Sequence, residues 1–331
     1  MVNTHFLYLL GHLRLLEEQH SVTSLERTGV GLIGTYNQNL PYIQAVKLSA
    51  HHCELKAICD IEPSLPSMSY YMCQKRKIEE LINNDDVNSI IMTSVCCDEL
   101  LKFTIERTID AGKDLLLNNI PNYKEPELTE LFKQAKRNGV CIYYNPVLSF
   151  EDTFNQLKTS LAVKNKSETG LLRLSSHRMI EPENRLPFNT LRSALTQKVE
   201  LLLSLLPDLS LTETSVQYSH PFAKMENGDV LIINLRHKGG LLVSIELFFN
   251  TGNITDKISL KQCNHSYEAE SKFIINKENQ SINEKTSIVK QLDQFILKLH
   301  NDEKLLQKNH WLQANKLTDE IINHLTNNGF I

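Results

Sequence analysis

Residues 30–145 alternate short apolar runs with amphipathic stretches, and this alternation constrains the fold more than any other feature of the sequence. The predicted strands are VGLIG (30–34), ELKAICD (54–60), NSIIMTS (88–94), DLLLN (114–118) and VCIYYN (140–145). Helical patterns fill the intervals at 39–50, 76–84, 99–111 and 125–138. Near-continuous apolar strands separated by helices are typical of a parallel sheet covered on both faces. The sequence therefore predicts a doubly wound α/β domain at residues 28–147.

The second half of the chain has a different order of elements. A helix is predicted at 149–163, a strand at 170–179 and a long helix at 189–206. Five strand candidates follow at 211–219, 229–237, 240–249, 255–262 and 267–275, and then two helices at 284–300 and 308–327. Gly239-Gly240 marks a hairpin turn. Strands in series flanked by helices predict an α+β domain at residues 148–331, with a mainly antiparallel sheet and helices on one face.

Residues 1–27 form a separate N-terminal extension. Its apolar residues recur at helical spacing, which predicts an amphipathic helix, and it lacks the basic start and cleavage site of a signal peptide. Packing of this helix against its own domain is favoured over binding to a partner.

Composition excludes several classes of function. The 331 residues are 41% hydrophobic and 22% charged, with a formal net charge of −4. That balance is typical of a globular chain and gives no support for a nucleic-acid or membrane partner. Seven cysteines without framework spacing predict reduced thiols in the cytoplasm. We expect no metal site, because His51-His52-Cys53 are adjacent and their side chains diverge.

The stretch TGVGLIGTYNQNLPY, residues 28–42, carries part of a dinucleotide-binding loop. Such a loop needs glycines so that a pyrophosphate can approach backbone amides at a helix N-terminus. Counted from Gly34 the hexad is GTYNQN, so only the first of three glycines is present. Tyr36 stands where the phosphates would come closest.

Asp60 ends the second predicted strand, about 26 residues after Gly34. A carboxylate at this point can accept hydrogen bonds from an adenosine ribose, and it repels a 2′-phosphate. NAD(H) is therefore favoured over NADP(H) as the cofactor. The alternative interpretation is that Asp60 only ends the strand.

These stretches resemble the glucose–fructose oxidoreductase and inositol dehydrogenase family, often written Gfo/Idh/MocA. The similarity covers most of residues 28–300, and its most specific motif is AGK at 111–113. The C-terminal half, with LPFNTLRSALTQKVELLLSLLPDLSLTET and HKGGLLVSIEL, looks most like biliverdin reductases. The resemblance implies a Rossmann-like first domain that binds NAD(P)(H) and a second domain that binds the substrate. It gives as cofactor-binding candidates Gly34, Thr35, Tyr36, Asn37, Asp60, Thr93 and Asn118.

The resemblance also identifies the positions where the family keeps its acid/base groups. Members usually carry a lysine after the AGK strand, where this chain has Asn118-Asn119-Ile120. The histidine of the central helix corresponds to Gln197. The catalytic candidates implied by these positions are therefore Asn119 and Gln197, with Arg192 on the same helix.

Cationic residues near the start of the second domain are the substrate-binding candidates. On the family's geometry His177, Arg178 and Arg185 face the cleft, and guanidinium groups bind carboxylates such as the propionates of a tetrapyrrole. Residues 173 and 178 differ by an odd number, so they point to opposite faces of a regular strand.

Two functions follow from the sequence. The first is an NAD(P)H-dependent oxidoreductase that reduces a conjugated small molecule, a linear tetrapyrrole being one candidate. The second is a catalytically inactive pseudoenzyme that serves as a regulatory or protein-interaction module, with or without a bound nucleotide. The substituted glycines and acid/base positions favour the second, whereas the overall resemblance favours the first. The sequence is compatible with a homodimer or a monomer.

Overall fold

The computed structural model describes residues 27–61, 68–93, 98–118, 121, 123–144, 146–163, 170–178, 188–218, 230–249, 254–262, 265–273, 282–300 and 308–327. The predicted N-terminal helix lies almost wholly outside these residues. Two site candidates, Asn119 and Arg185, lie outside them as well.

The first sheet has five parallel strands with helices between them. The strands are β1 (Thr28–Gly34), β2 (Cys53–Asp60), β3 (Ser89–Met92), β4 (Asp114–Leu117) and β5 (Ile142–Tyr144). The helices are α1 (Tyr36–Leu48), α2 (Met68–Ile82), α3 (Asp98–Asp110) and α4 (Glu125–Arg137). The strand order is β2-β1-β3-β4-β5, so the direction of winding reverses between β1 and β3. The predicted doubly wound α/β fold is confirmed.

Glycines in β1 allow helix α2 and the loop after it to approach the strand. A Cβ atom on Gly29 would lie 1.9 Å from the carbonyl oxygen of Asp86, and one on Gly31 would lie 2.8 Å from a methyl group of Leu81. Neither position can carry a larger side chain without movement of its neighbours. These glycines serve packing at the middle and amino end of β1, away from the loop that follows Gly34.

The second sheet has six strands and is covered by helices on one face. After a 3₁₀ helix (Val147–Phe150) and α5 (Asp152–Val163) come β6 (Gly170–Arg178), α6 (Phe188–Leu205), β7 (Leu211–Tyr218), β8 (Val230–His237), β9 (Leu242–Phe249), β10 (Ile254–Gln262) and β11 (His265–Phe273). The chain closes with α7 (Ile282–His300) and α8 (Lys308–Asn327). The order is β11-β10-β6-β9-β8-β7, and every pair is antiparallel except β6 with β9. The prediction of a mainly antiparallel sheet is confirmed, and the hairpin turns at Gly240, whose φ is +90°.

The two faces of this sheet differ in chemistry. Leu172 and Leu174 of β6 are buried in one apolar cluster with residues of α6 and α8. The opposite face carries ion pairs between strands, including Arg173 with Glu246 at 2.7 Å. The alternation of polar and apolar residues along β6 therefore separates a packed face from an open one.

The two C-terminal helices connect the second sheet to the first. Phe295 of α7 is buried in the same cluster as Val30 and Leu32 of β1. On α8, the Trp311 ring packs edge-on against Phe132 and Tyr144 of the first unit, at centroid distances of 5.5 and 5.9 Å. Further along α8, one apolar stripe is buried in the core of the second sheet, formed by Ala314, Leu317, Ile321, Ile322 and Leu325. The sequence-based division of the chain at residues 147 and 148 stays a prediction, since these helices pack on both units.

None of the helices within the described ranges is long and apolar enough to cross a membrane.

A buried ion pair joins α6 to α8. His310 Nε2 lies 2.5 Å from Glu200 Oε2, and the Glu200 side chain is almost fully buried. Burial raises the pKa of the Glu200 carboxyl above 4.5, and the hydrogen bond and charge of His310 offset only part of that rise. Burial alone would lower the pKa of His310, but the hydrogen bond and charge of Glu200 outweigh it and raise that pKa above 6.5. The pair therefore binds its proton more tightly in the folded protein than in the unfolded chain.

We predict that the protein loses stability as the pH rises above 6.5. Both groups have raised pKa values in the folded state, so their contribution is complete at low pH and is lost as the pH rises through the pKa of His310. Above that pH, Glu200 becomes a buried carboxylate without a positive partner, at a cost of up to about 3–5 kcal/mol. Urea unfolding followed by the fluorescence of Trp311 at pH 6 and pH 9 measures the change.

The matched control for this prediction is His310→Gln, which retains a hydrogen-bond donor but cannot carry a charge. This variant should be less stable than the wild type at pH 6 and should show a smaller difference between pH 6 and pH 9. An unchanged pH dependence in the variant would assign the effect to other groups.

Candidate functional site

The carboxyl edge of the first sheet brings four of the predicted residues together. Gly34, at the end of β1, is in register with Asp60 at the end of β2. The amide of Thr93, just after β3, donates to the carbonyl of Ile33 at 2.9 Å, and the amide of Asn118, just after β4, donates to that of Met92. This is the edge, at the reversal of strand order between β1 and β3, where open α/β sheets bind their ligands.

The side chain of Asn39 joins the first turn of α1 to two strand ends. Asn39 is buried, its Nδ2 donates to the carbonyl oxygen of Gly34 at 3.0 Å, and its Oδ1 accepts from Thr93 Oγ1 at 2.7 Å. Asn39 occupies the position of the third glycine of the fingerprint. A hydrogen-bonded side chain therefore fills the space that glycine would leave between helix and strand.

The N-terminus of α1 faces this edge with unsatisfied donors. Gln38 and Asn39 donate their backbone amides to the carbonyl of Thr35. Within the part of the chain that the structure describes, the backbone amides of Tyr36 and Asn37 have no hydrogen-bond partner. The Tyr36 side chain is 61% exposed, so its ring is not packed into the core of the domain. The turn thus has the free amides and the positive end of the helix dipole that an anion requires.

Asp60 lies at the outer side of this turn. Its side chain is exposed, and the next amide, of Ile61, donates to the carbonyl of Gly34 at 2.9 Å. That hydrogen bond keeps the end of β2 beside the start of α1. A carboxylate so placed is free to accept hydrogen bonds from a bound hydroxyl group.

Asn118 belongs to a polar network that ties helix α7 to the site. The Tyr42 hydroxyl lies 2.6 Å from Asn118 Oδ1 and 2.6 Å from Gln291 Oε1. Tyr42 lies on α1 and Gln291 lies on α7, so this hydroxyl links three elements at the carboxyl edge. Asn118 is half-buried and its amide is held in one orientation by this contact.

The lysine of the AGK motif lies at the opposite edge of the sheet. Lys113 precedes β4, and its Nζ donates to the carbonyl oxygens of Asn84 and Val87 at 2.5 and 2.6 Å. Burial lowers the pKa of Lys113, and the nearby charge of Asp85 opposes this shift. Lys113 therefore fastens the loop before β3, and the motif is structural.

The substrate-side candidates lie at the carboxyl end of β6. The His177 ring stacks on Phe248 of β9 at a centroid distance of 4.5 Å and an interplanar angle of 8°. Arg178 is the last residue of β6. Arg173 is on the same face as His177, and its guanidinium is paired with Glu246. Residues 177 and 178 adjoin along the strand, so the alternation of β6 assigns them to opposite faces of the sheet.

The two candidates on helix α6 have different surroundings. Arg192 is buried, with its guanidinium bonded to the carboxylate of Asp319 and near Asn315 Oδ1 at 3.4 Å, both on α8. Gln197 is half-buried one and a half turns further along the helix. Arg192 therefore fastens α6 to α8, and its role in a reaction stays a prediction, as does that of Gln197.

A buried cluster that the sequence reasoning missed lies next to Gln197. Lys198 is 3% exposed, and its Nζ contacts Asp256 Oδ1 on β10. Ser176 of β6 donates to the same oxygen at 2.7 Å. A lysine inside the otherwise apolar stretch KVELLLSLL was the available signal, but its partner is 58 residues away and no local spacing connects them.

No group of three or more potential metal ligands occurs among the described residues.

Comparisons with known proteins support the fold. No family model matches the chain, and no curated protein matches it either. Solved structures do match over most of its length. One is GenD2 from gentamicin A biosynthesis, in complex with NAD, at 12% identity and a TM-score of 0.66, covering 89% of this chain and 93% of that one.

Two further structures have the same architecture. A myo-inositol dehydrogenase from Corynebacterium glutamicum matches at 12% identity and a TM-score of 0.62, covering 89% of this chain and 95% of that one. A biliverdin reductase from Synechocystis, in complex with biliverdin and NADP⁺, matches at 11% identity and a TM-score of 0.60, covering 89% and 98%. The chain therefore has the two-domain fold of these dehydrogenases and reductases, as the sequence resemblance implied.

We predict that the hydrogen bond between Thr93 and Asn39 stabilises the protein. Thr93→Val keeps the shape of the side chain but leaves Asn39 Oδ1 buried without its hydroxyl donor, at a cost of about 1–3 kcal/mol. Thr93→Ser keeps the hydroxyl and is the matched control, with a smaller loss. Urea unfolding of the three proteins compares their free energies. Equal stability of the Val variant and the wild type would contradict the role given to Asn39.

Proposed function

We propose that the protein is an NAD(P)H-dependent oxidoreductase that reduces a conjugated small molecule, with a linear tetrapyrrole as the first candidate. The observation that carries the proposal is the first turn of α1. The backbone amides of Tyr36 and Asn37 are without partners in the described part of the chain, and they lie at the point where the strand order reverses. The exposed side chain of Tyr36 can swing aside for a phosphate without disturbing the core, despite the substituted glycine.

The residues at this edge fit a dinucleotide. The amides of Tyr36 and Asn37 would hold the pyrophosphate against Gly34 and Thr35, and Asp60 would hold the adenosine ribose. Thr93 and Asn118, which are hydrogen-bonded to Asn39 and Tyr42, would form the wall of the site. The reduced nicotinamide supplies a hydride, and the fold's contribution is to position it.

Asp60 supports a preference for NAD(H). Its exposed carboxylate can accept hydrogen bonds from both ribose hydroxyls, whereas it would repel a 2′-phosphate. GenD2 was solved in complex with NAD and the Synechocystis biliverdin reductase in complex with NADP⁺. The fold therefore accommodates either nucleotide.

The substrate would bind at the carboxyl end of β6. His177 and Phe248 present stacked rings, on which a conjugated ring system could lie. Residue 178 is assigned to the opposite face of the sheet but is the last of the strand, and we propose that Arg178 binds a carboxylate that extends past the strand end. Arg185 is proposed to add a second cation. The biliverdin complex of a protein with the same fold supports the choice of a tetrapyrrole as the first test substrate.

Asn119 and Gln197 are proposed to orient the substrate by hydrogen bonds, since an amide cannot donate a proton as an acid does. Arg192 is proposed to position helix α6, and with it Gln197, through its ion pair with Asp319 of α8. We further propose that the protein acts in the cytoplasm, where its buried free thiols at Cys53, Cys59 and Cys141 would stay reduced.

We predict that NADH binds and quenches the fluorescence of Trp311, the only tryptophan of the chain, with a Kd in the micromolar range. NADPH should bind about 10-fold or more weakly, because Asp60 repels its phosphate. Asp60→Ser should reduce this difference mainly by weakening NADH. Asp86→Ser, a loss of an exposed carboxylate at the amino edge of the sheet, is the matched control and should leave both affinities unchanged.

The same titration separates the oxidoreductase from the pseudoenzyme. Failure of both nucleotides to bind at millimolar concentration would end the oxidoreductase proposal. Nucleotide binding without reduction of biliverdin or of other conjugated acceptors would favour the pseudoenzyme with a bound nucleotide.

We predict that Arg178→Gln raises the KM for biliverdin about 10-fold, because the variant loses a charge-assisted contact to a propionate. Arg173→Gln is the matched control, since Arg173 lies on the same strand but is paired with Glu246. Steady-state assays at the visible absorbance of biliverdin give both values. Equal KM values for the two variants would show that the propionate of biliverdin is bound by a residue other than Arg178.

A further inference from the structure

Two exposed leucines lie near the contact between helices α1 and α7. Leu48 is the last residue of α1 and is 66% exposed, and Leu297 lies in the last turn of α7 and is 57% exposed. The other large apolar residues that are exposed among the described ones lie on separate elements, and they are Tyr36, Ile58 and Leu242. The ends of α1 and α7 are therefore where exposed apolar side chains come in a pair.

A hydrogen bond between the two helices places these leucines near each other. Ser49, which directly follows Leu48, donates its hydroxyl to Asp293 Oδ1 at 2.6 Å. Leu297 lies four residues after Asp293, so the two are on one face of α7. Each leucine is thus within one helical turn of the bond that joins the helices. We call Leu48, Leu297 and the surface around this bond the α1–α7 patch.

The patch lies over the apolar core that α1 and α7 share. Val46 of α1 and Ile296 of α7, each next to or near one of the exposed leucines in sequence, are buried in the same cluster with Val30 of β1. An apolar segment laid on the patch would therefore extend an existing core outward, and the two leucines would be buried with it.

Residues 1–27 join the described structure beside this patch. The amide of Thr28, the first residue of β1, donates to the carbonyl of His52 at 3.0 Å. His52 is four residues after Leu48, in the short turn between α1 and β2. The segment is therefore attached at the amino edge of the first sheet, next to the end of α1.

This segment carries an apolar surface of matching size. Eight of the eleven residues in FLYLLGHLRLL, residues 6–16, are aliphatic or aromatic. As a helix the stretch is roughly 16 Å long. Residues 17–27 can extend over roughly 36–40 Å, so the helix can fold back from Thr28 onto the patch. Its helically spaced apolar residues are Phe6, Leu9, Leu10, Leu13 and Leu16.

Charges at the rim of the patch agree with this pairing. Lys47 precedes Leu48 and Lys298 follows Leu297, so positive charges adjoin both leucines. In the segment, Glu17 and Glu18 directly follow the apolar stretch. Opposite charges beside an apolar contact favour one orientation of the two surfaces.

We propose that residues 6–16 form a helix that docks on the α1–α7 patch of the same chain, an inference that does not depend on the function proposed above. Docking fastens the C-terminal ends of α1 and α7 to each other at the amino edge of the sheet. Tyr42 of α1 contacts both Gln291 of α7 and Asn118. The segment therefore braces, from the far side, the two helices that hold Asn118 in place.

The test measures hydrogen exchange in the full chain, read by mass spectrometry on peptides from residues 1–27. The double variant Leu48→Gln with Leu297→Gln removes the apolar surface of the patch. Because both side chains are exposed among the described residues, this variant is expected to fold. Leu242→Gln is the matched control, since it removes an exposed leucine from the second sheet.

Amides of residues 6–16 should exchange about 10-fold or more slowly in the wild type and in Leu242→Gln than in the double patch variant. Leu10→Gln with Leu13→Gln removes the complementary surface from the segment and should cause the same loss of protection. Peptides that contain the ends of α1 and α7 should also exchange faster in both double variants, because they lose the same contact.

Three results would overturn the inference. In the first, residues 6–16 of the wild type exchange as fast as an unstructured peptide. In the second, they are equally protected in the wild type and the double patch variant, which would mean that another surface covers them. In the third, protection appears only as the protein concentration rises and light scattering shows a dimer, which would assign the segment to a second copy of the chain. Nucleotide binding enters none of these results, so failure of the proposed function would leave the inference standing.

Discussion

The buried amide of Asn39 is the interaction on which the geometry of the nucleotide edge depends. In a glycine fingerprint, the third glycine lets the helix pack closely on the strand. Here the Asn39 side chain occupies that space and forms two hydrogen bonds, to the Gly34 carbonyl and from the Thr93 hydroxyl. Each bond is worth more in a buried site than in water, and leaving either group unpaired would be costly. The first turn of α1 is consequently held against β1 and β3 together, and the amides of Tyr36 and Asn37 keep their direction toward the edge.

Helix α6 places charges inside the protein and pairs each of them with another element. Arg192 and Glu200 are bonded to residues of α8, and Lys198 is bonded to β10. Unpaired charges at these depths would be very unfavourable, so sliding or rotating the helix would break every pair. The pairs therefore fix the position of α6 along its axis, and with it the position of Gln197. Trp311 on α8 packs against Phe132 and Tyr144 of the first unit. Since α6 is paired with α8, this contact also sets the position of α6 relative to the first sheet.

The order of elements could be predicted from the sequence because it depends on local patterns. The apolar run at 30–34 and the helical stretch at 125–138 match β1 and α4 within two residues. Contacts between distant residues could not be predicted in this way. Nothing near Asn39 indicates that its amide would meet Thr93, and nothing near Lys198 indicates Asp256. The AGK motif identified the fold correctly, but only the structure shows that Lys113 fastens a loop at the opposite edge.

The substituted glycine at Tyr36 is the feature that most favoured an inactive protein, and its position weakens that argument. A side chain at the second glycine position blocks phosphates only if it turns toward them. In this chain Tyr36 is the first residue of α1 and its side chain is 61% exposed, so the ring can swing aside for a phosphate without disturbing the core. The backbone amides of Tyr36 and Asn37 stay at the N-terminus of α1 whichever way the ring turns. The substituted glycine therefore does not by itself exclude an anion at this helix end.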